Sequence, residues 1–344
     1  MSQRKWYLAE LRVASIISVV VIHVSAQYWG QLSPTGYDWW ITNVFDGLAR
    51  WSVPVFVMIS GALFLDPDRK VSIRRLYSKN IVKILVIILV WGFVYAVLYR
   101  PLNEMSMRSL LSFVKEWLFG HYHMWFLYMI LGLYVLVPVL RRIASSDSCM
   151  KYYLVIAFAV NSVIPFVTSF DATGTISALF SKASIQLPVG FSFYFVLGYW
   201  LSRTELSPAR ARMLYLAGVL GGIVTVLLTG WASVVAGAPV QTYYSYFMLP
   251  VAVTSAAVFV AFHQKGFVPH SGRARKAIAL LSKLSLGVYL VHIFVLDNMI
   301  KIGIDSMCAN PIVAIPVTAL IAAIVSYLIS FILSKIPFFG RYIV

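Results

Sequence analysis

Arg12 and His23 are the residues of this chain best placed to do chemistry: they stand eleven positions apart in an otherwise apolar stretch. The segment runs Glu10-Leu11-Arg12-Val13-Ala14-Ser15-Ile16-Ile17-Ser18-Val19-Val20-Val21-Ile22-His23. On a helix, eleven steps of about 100° come to about 1100°, within roughly 20° of three full turns. The guanidinium and the imidazole therefore share one face, separated by about 16 Å of rise. Ionisable groups inside an apolar span are costly and mark functional sites by default. A neutral imidazole can take a proton as a general base. A guanidinium suits a phosphate. Glu10 is placed to orient Arg12, while its depth separates it from His23.

A second polar stripe lies near the end of the chain. Ser285, Tyr289 and His292 follow i, i+4, i+7 spacing and line one helix face. Such a stripe should face the bundle or a water-filled cavity, as catalytic groups or as interhelical glue. Asp297 lies further along. His121 and His123, two apart, are expected on opposite sides of a helix, so no shared metal follows. Densely placed cations occupy 66–83, where Arg75, Lys79 and Lys83 fall at i, i+4, i+8 with Arg74 beside them. They read either as a solvated face or as contacts for a phosphate-bearing ligand. Arg50 is expected near the outer surface, able to snorkel or to meet an anion. Ser60-Gly61 permits close approach of a helix or a ligand. Tyr28, Trp29, Tyr37, Trp39 and Trp40 suit either a membrane interface or stacking on sugar faces.

The elements that must hold these groups are membrane helices. Of the 344 residues 60% are hydrophobic, and the mean hydropathy is +0.84. Apolar runs of membrane-spanning length recur, so the fold class is an all-α polytopic bundle. Ten spans are expected at roughly 8–27, 44–65, 81–100, 123–140, 152–170, 188–202, 214–231, 243–262, 284–304 and 311–334. With the N-terminus inside, 22 of the 28 cations fall on the inner side and six on the outer. This asymmetry places both termini in the cytoplasm and accounts for the net charge of +16 without nucleic acid. Arg4, Lys5 and the small residues Val24-Ser25-Ala26 resemble a signal peptide, but Glu10 and Arg12 interrupt its core, so the segment reads as the first span. Pro54 should kink the second span. A short amphipathic helix is expected over 106–119, on the membrane. Asn161, Gln186 and Tyr194 are candidates for a polar interior, and His263 and His270 for solvated loop positions. Cys149 and Cys308 fall on opposite sides, so no disulfide follows. The whole chain, 1–344, reads as one membrane-embedded domain with no fused soluble domain. Nucleotide-binding loops and a nucleophile elbow are absent from the sequence.

Several of these stretches together resemble one family. Arg12 with ten residues to His23 resembles the Arg-x10-His element that opens bacterial acyltransferase family 3. Ser52-Val53-Pro54-Val55-Phe56-Val57-Met58-Ile59-Ser60-Gly61 is similar to its second-helix Val-Pro-Phe-Phe-Ser-Gly element. His123-Met124-Trp125-Phe126-Leu127-Tyr128 is similar to its His-Leu-Trp-Phe-Leu-Tyr element. Ser285-Leu286-Gly287-Val288-Tyr289-Leu290-Val291-His292 resembles its late Ser-x-Gly-x-Tyr-Leu-x-His element. The length and the run 43–61 look closest to the branch with the O-acetyltransferase of enterobacterial common antigen. The chain departs from the family's Arg-x-x-Arg element, offering Arg74-Arg75 and then Lys79 and Lys83.

The resemblance implies transfer of an acyl group, usually acetyl, from cytoplasmic acyl-CoA to a hydroxyl of a cell-surface or lipid-linked glycan. It implies a bacterial inner membrane, acetyl-CoA as co-substrate, no permanently bound cofactor and no metal. Under that reading His23 is the base or acyl carrier. Arg12, Arg74, Arg75, Lys79, Lys83 and Ser60 hold the donor. Arg50, His123, Trp125, Ser285, Tyr289 and His292 bind or support the acceptor. Self-association stays open. Two rivals share the ten spans: an exporter or flippase of a polysaccharide or lipid-linked sugar, and a proton-coupled transporter using His23 and Asp297.

Overall fold

The computed structural model describes residues 6–67, 69, 72–99, 107–171, 173–174, 190–267, 272–337 and 340, without the side chains of 107–109. Arg4, Lys5, Gln186 and His270 lie outside the described residues. Helices make up the fold, and no strand occurs among the described residues. In order they are α1 (Trp6–Ser25), α2 (Tyr37–Ala49), α3 (Ser52–Phe64), α4 (Ile73–Leu98), α5 (Met107–Phe119), α6 (Trp125–Ala144) and α7 (Asp147–Thr168). Then come α8 (Ser192–Arg203), α9 (Pro208–Ala236), α10 (Leu249–Lys265), α11 (Arg273–Lys301) and α12 (Pro311–Lys335). Nine segments among the described residues are long and apolar enough to cross a membrane. The protein is a multi-pass membrane protein of the all-α class.

The outer faces of the bundle carry the signature of lipid contact. On α12, Val313, Val317, Leu320, Ile324, Leu328 and Ile332 are exposed at three- or four-residue spacing, whereas Ala314, Ala319, Ala322 and Ala323 are buried. Large apolar groups outward and small ones inward is the pattern of a helix packed closely on its neighbours inside a hydrocarbon solvent.

Two expected spans need correction. The stretch expected to span at 188–202 is α8, twelve residues long among those described. Twelve residues rise about 18 Å, short of a hydrocarbon core of about 30 Å. α8 is instead a buried plug: Phe193, Tyr194, Phe195, Val196, Tyr199 and Leu201 are all enclosed. It lies against α3 with backbones almost touching, because a Cβ on Gly61 would fall 1.7 Å from the Phe195 carbonyl oxygen and one on Gly198 2.2 Å from that of Met58. The second span is two helices, broken at Arg50-Trp51, one turn before the expected kink. Pro54 has no N–H to offer the Arg50 carbonyl, so the ladder opens there. The Arg50 N–H turns back to the Gly47 carbonyl (3.4 Å), and regular bonding resumes from the Val55 N–H to Trp51 (3.1 Å).

The polar stripes on α1 and α11 meet because these helices run parallel and pack together. Beyond their C-terminal ends, the Ser306 N–H donates to Gln27 Oε1 (2.8 Å) and the Tyr28 hydroxyl to Asp305 Oδ2 (3.1 Å). α1 therefore places His23 beside His292 and Arg12 about one turn before the level of Ser285.

Candidate active site

A cavity of about 720 Å³ lies between α1, α3, the start of α6, and α11. Arg12, Ser285, His23, His123 and Tyr289 line it, together with a group made of Arg50, Trp125, Gln241 and Tyr246, and with Asp297, which accepts from Tyr99. Along α1 the rise from residue 12 to 23 is about 16 Å, and along α11 from 285 to 297 about 18 Å. One space thus joins the expected phosphate-binding cation to the imidazole.

Four histidines crowd the middle. The ring centres of His23 and His292 are 5.0 Å apart, those of His292 and His123 5.4 Å. His292 is fully buried, and its Nδ1 donates within the helix to Tyr289 O (2.7 Å), with Val288 O at 3.2 Å. That fixes the tautomer and leaves Nε2 as a buried lone pair without a partner. His121 and His123 overturn the expectation that they diverge: their Nδ1 atoms are 3.1 Å apart. His121 is extended and 122–124 form a tight 3-10 turn, so helical spacing does not apply. The Tyr289 hydroxyl fastens this turn by donating to the His123 carbonyl (2.6 Å). Tyr122 in the same turn brings its hydroxyl to 3.5 Å from His23 Nδ1. Among the described residues no Asp or Glu hydrogen-bonds to any of the four rings, so the cluster is not built as a His–carboxylate pair.

The two arginines of the cavity are held differently. Arg50 pairs with Asp46: its Nη2 donates to Oδ2 (2.7 Å), its Nε lies 2.6 Å from Oδ1 as an ion-pair contact, and Asp46 is 1% exposed. The same guanidinium lies 4.2 Å over the Tyr244 ring. Tyr244 donates to Asn43 Oδ1 (2.6 Å), and Asn43 Nδ2 to the Val226 carbonyl (3.0 Å), which ties the pair to α9. Arg12 makes no hydrogen bond or ion pair among the described residues.

A family model described as an acyltransferase domain matches residues 6–335. The chain belongs to acyltransferase family 3. No curated protein and no solved structure matched it. The match is to the family and not to a branch within it. It makes the protein a membrane acyltransferase.

Within this acyltransferase, several expected site residues lie elsewhere. Glu10 does not orient Arg12. Two residues apart on a helix is about 200°, so it faces away, accepting from the Phe267 N–H (2.8 Å) and lining a separate cavity of about 470 Å³ with His263. Arg74, Arg75 and Lys79 are exposed, and neither they nor Lys83 lines the Arg12–His23 cavity. Their i, i+4, i+8 stripe is broken by a π-helical stretch at Leu76–Ile81, whose wider turn shifts the phase. Ser60 also misses the cavity; its hydroxyl bonds to Phe56 O (3.2 Å) within α3. The remaining candidates, Arg12, His23, Arg50, His123, Trp125, Ser285 and Tyr289, all line the cavity, and His292 backs His23. Asp46, Gln241 and Tyr246 were not singled out from sequence. Asp46 was findable as the i, i+4 partner of Arg50. Gln241 and Tyr246 sit in a connection that gives no periodic signal.

Proposed function

We propose that the protein is a bacterial inner-membrane O-acyltransferase that moves an acetyl group from acetyl-CoA to a hydroxyl of a cell-surface or lipid-linked glycan. The observation that carries this reading is the single cavity lined at one end by an uncommitted Arg12 and in its middle by His23. In this reading the Arg12 end faces the cytoplasm, which the charge asymmetry of the sequence supports. Phosphate oxygens of the donor meet Arg12, which no carboxylate among the described residues neutralises. The pantetheine arm extends along α1, and about 16 Å of rise suits its stretched length. The acceptor enters from the Arg50 end.

His23 takes the proton of the attacking hydroxyl as its oxygen bonds to the thioester carbonyl carbon. The carbon–sulfur bond then breaks, the proton passes to the departing thiolate, and CoA leaves as the thiol. His292 packs against His23 and limits its freedom to turn. Tyr289 holds the 122–124 turn, and so Tyr122, in place.

The test is transfer of label from radiolabelled acetyl-CoA to glycan in inverted vesicles. His23→Ala should reduce the rate by about 10²- to 10⁴-fold. Transfer at the wild-type rate would overturn the role of His23. Loss of all label transfer in the wild-type vesicles would overturn the function.

A further inference from the structure

The Arg50 end of the cavity is built to take an uncharged saccharide. We infer that this acyltransferase selects neutral acceptor sugars and discriminates against uronic acids and sugar phosphates, and that the Asp46–Arg50 pair sets this preference. The inference rests on the reading of the cavity as an acyl-transfer site.

An arginine lining a cavity invites an anion, but the charge of this one is already matched. Asp46 accepts from Nη2, lies within ion-pair distance of Nε and is itself enclosed. A guanidinium–carboxylate pair keeps unused N–H groups that can donate to a hydroxyl, while its net charge is zero. Asp297 lines the same cavity beside Tyr122, where its carboxylate accepts from the Tyr99 hydroxyl, and it adds no positive charge for an anion to meet. An acidic acceptor would thus meet a cation whose charge is already matched, and would give up water in a partly dry site without gaining a counter-charge. An uncharged sugar meets no such cost.

The other walls fit a pyranose. Trp125 and Tyr246 lie nearly parallel, 24° apart with centres at 6.0 Å, and Phe191 leans on Trp125 at 5.7 Å. Their flat apolar surfaces suit the C–H face of a sugar ring. Gln241 adds an amide able both to donate and to accept. Asp46 is a positioning residue here: it acts on the acceptor through Arg50.

The experiment pairs neutral acceptors with their acidic counterparts of the same stereochemistry. Wild-type protein in nanodiscs receives radiolabelled acetyl-CoA and methyl gluco-, galacto- or mannopyranoside, each beside the matching methyl uronate. The neutral member of the best pair should be acetylated at least about 10-fold faster. Asp46→Asn keeps the side-chain shape but frees the charge of Arg50, and should bring that ratio down towards one. The double variant Asp46→Asn/Arg50→Gln is again uncharged and should restore the preference, at a lower rate. This restoration separates a charge effect from misfolding. Equal or faster transfer to the uronates by wild type overturns the inference, as does an unchanged ratio in Asp46→Asn. Label reaching native membrane glycan but no neutral glycoside also overturns it. In each of these cases His23-dependent transfer still stands, whereas its absence from native membranes counts against the function itself.

Discussion

Two arginines line one cavity, and their surroundings differ in almost every respect. Arg12 stands on an unbroken helix with no acid or hydrogen-bond partner among the described residues. Arg50 sits at a helix break, paired with a buried aspartate, lying on a tyrosine ring, and tied through Asn43 to a third helix. An unpaired guanidinium keeps its full attraction for an anion from outside. A paired one becomes part of the scaffold and offers geometry instead of charge. The cavity thus has a charged end and a neutral end, although each is marked by the same residue type.

This contrast predicts opposite costs when each end is damaged. Asp46→Ala should be the most disruptive change, because it strands a buried guanidinium; loss of one partner of a buried pair costs about 3–5 kcal/mol. Arg12→Ala should alter stability by about 1 kcal/mol or less, since no partner is lost. Thermal unfolding in a non-glycosidic detergent measures both, and equal losses would break the comparison. On activity the order reverses for the donor. Arg12→Ala should raise the KM for acetyl-CoA by about 10- to 100-fold, the scale of one charged hydrogen bond. Arg12→Lys should recover part of it, because a point charge still attracts phosphate. Raising the salt concentration should increase the donor KM several-fold and leave the acceptor KM nearly unchanged, as an external ion attraction is screened and an internal pair is not.

The smallest expected effect concerns pH. Burial pushes the His121 imidazole below its ordinary range, with Asp297 opposing. Unfolded His121 therefore binds a proton at higher pH than folded His121, and stability falls as pH drops from 7 to 5. His121→Gln should flatten that slope. A steeper slope in the variant would mean that His121 supports the fold through its charged form, beside Asp297.

The charged end was largely legible in the sequence, and the neutral end was not. Arg12, His23, Ser285, Tyr289 and His292 lie on long regular helices, where period alone fixes who shares a face. The same period puts Glu10 on the face opposite Arg12, so the expectation that Glu10 orients Arg12 was an error that the spacing itself could have prevented. Legibility failed where the helix is irregular. The π-helical turn at Leu76–Ile81 dispersed the cation stripe, the 3-10 turn brought His121 to His123, and the Pro54 break delivered Arg50 into the cavity. Gln241 and Tyr246 come from a connection between helices, whose path depends on tertiary packing. The twelve-residue α8 misled by composition: a buried plug and a short span have the same apolar content.

Because Arg12 and His23 ride on one regular helix, their relation is governed by phase as well as by length. A single residue inserted between them would add only about 1.5 Å of rise but rotate one against the other by about 100°. Four inserted residues would add about 6 Å and restore the alignment to within roughly 40°. Such a helix tolerates change in steps of a turn, and intermediate lengths turn the imidazole into the protein wall. α1 therefore behaves as a gear whose teeth, rather than its length, decide what can be engaged.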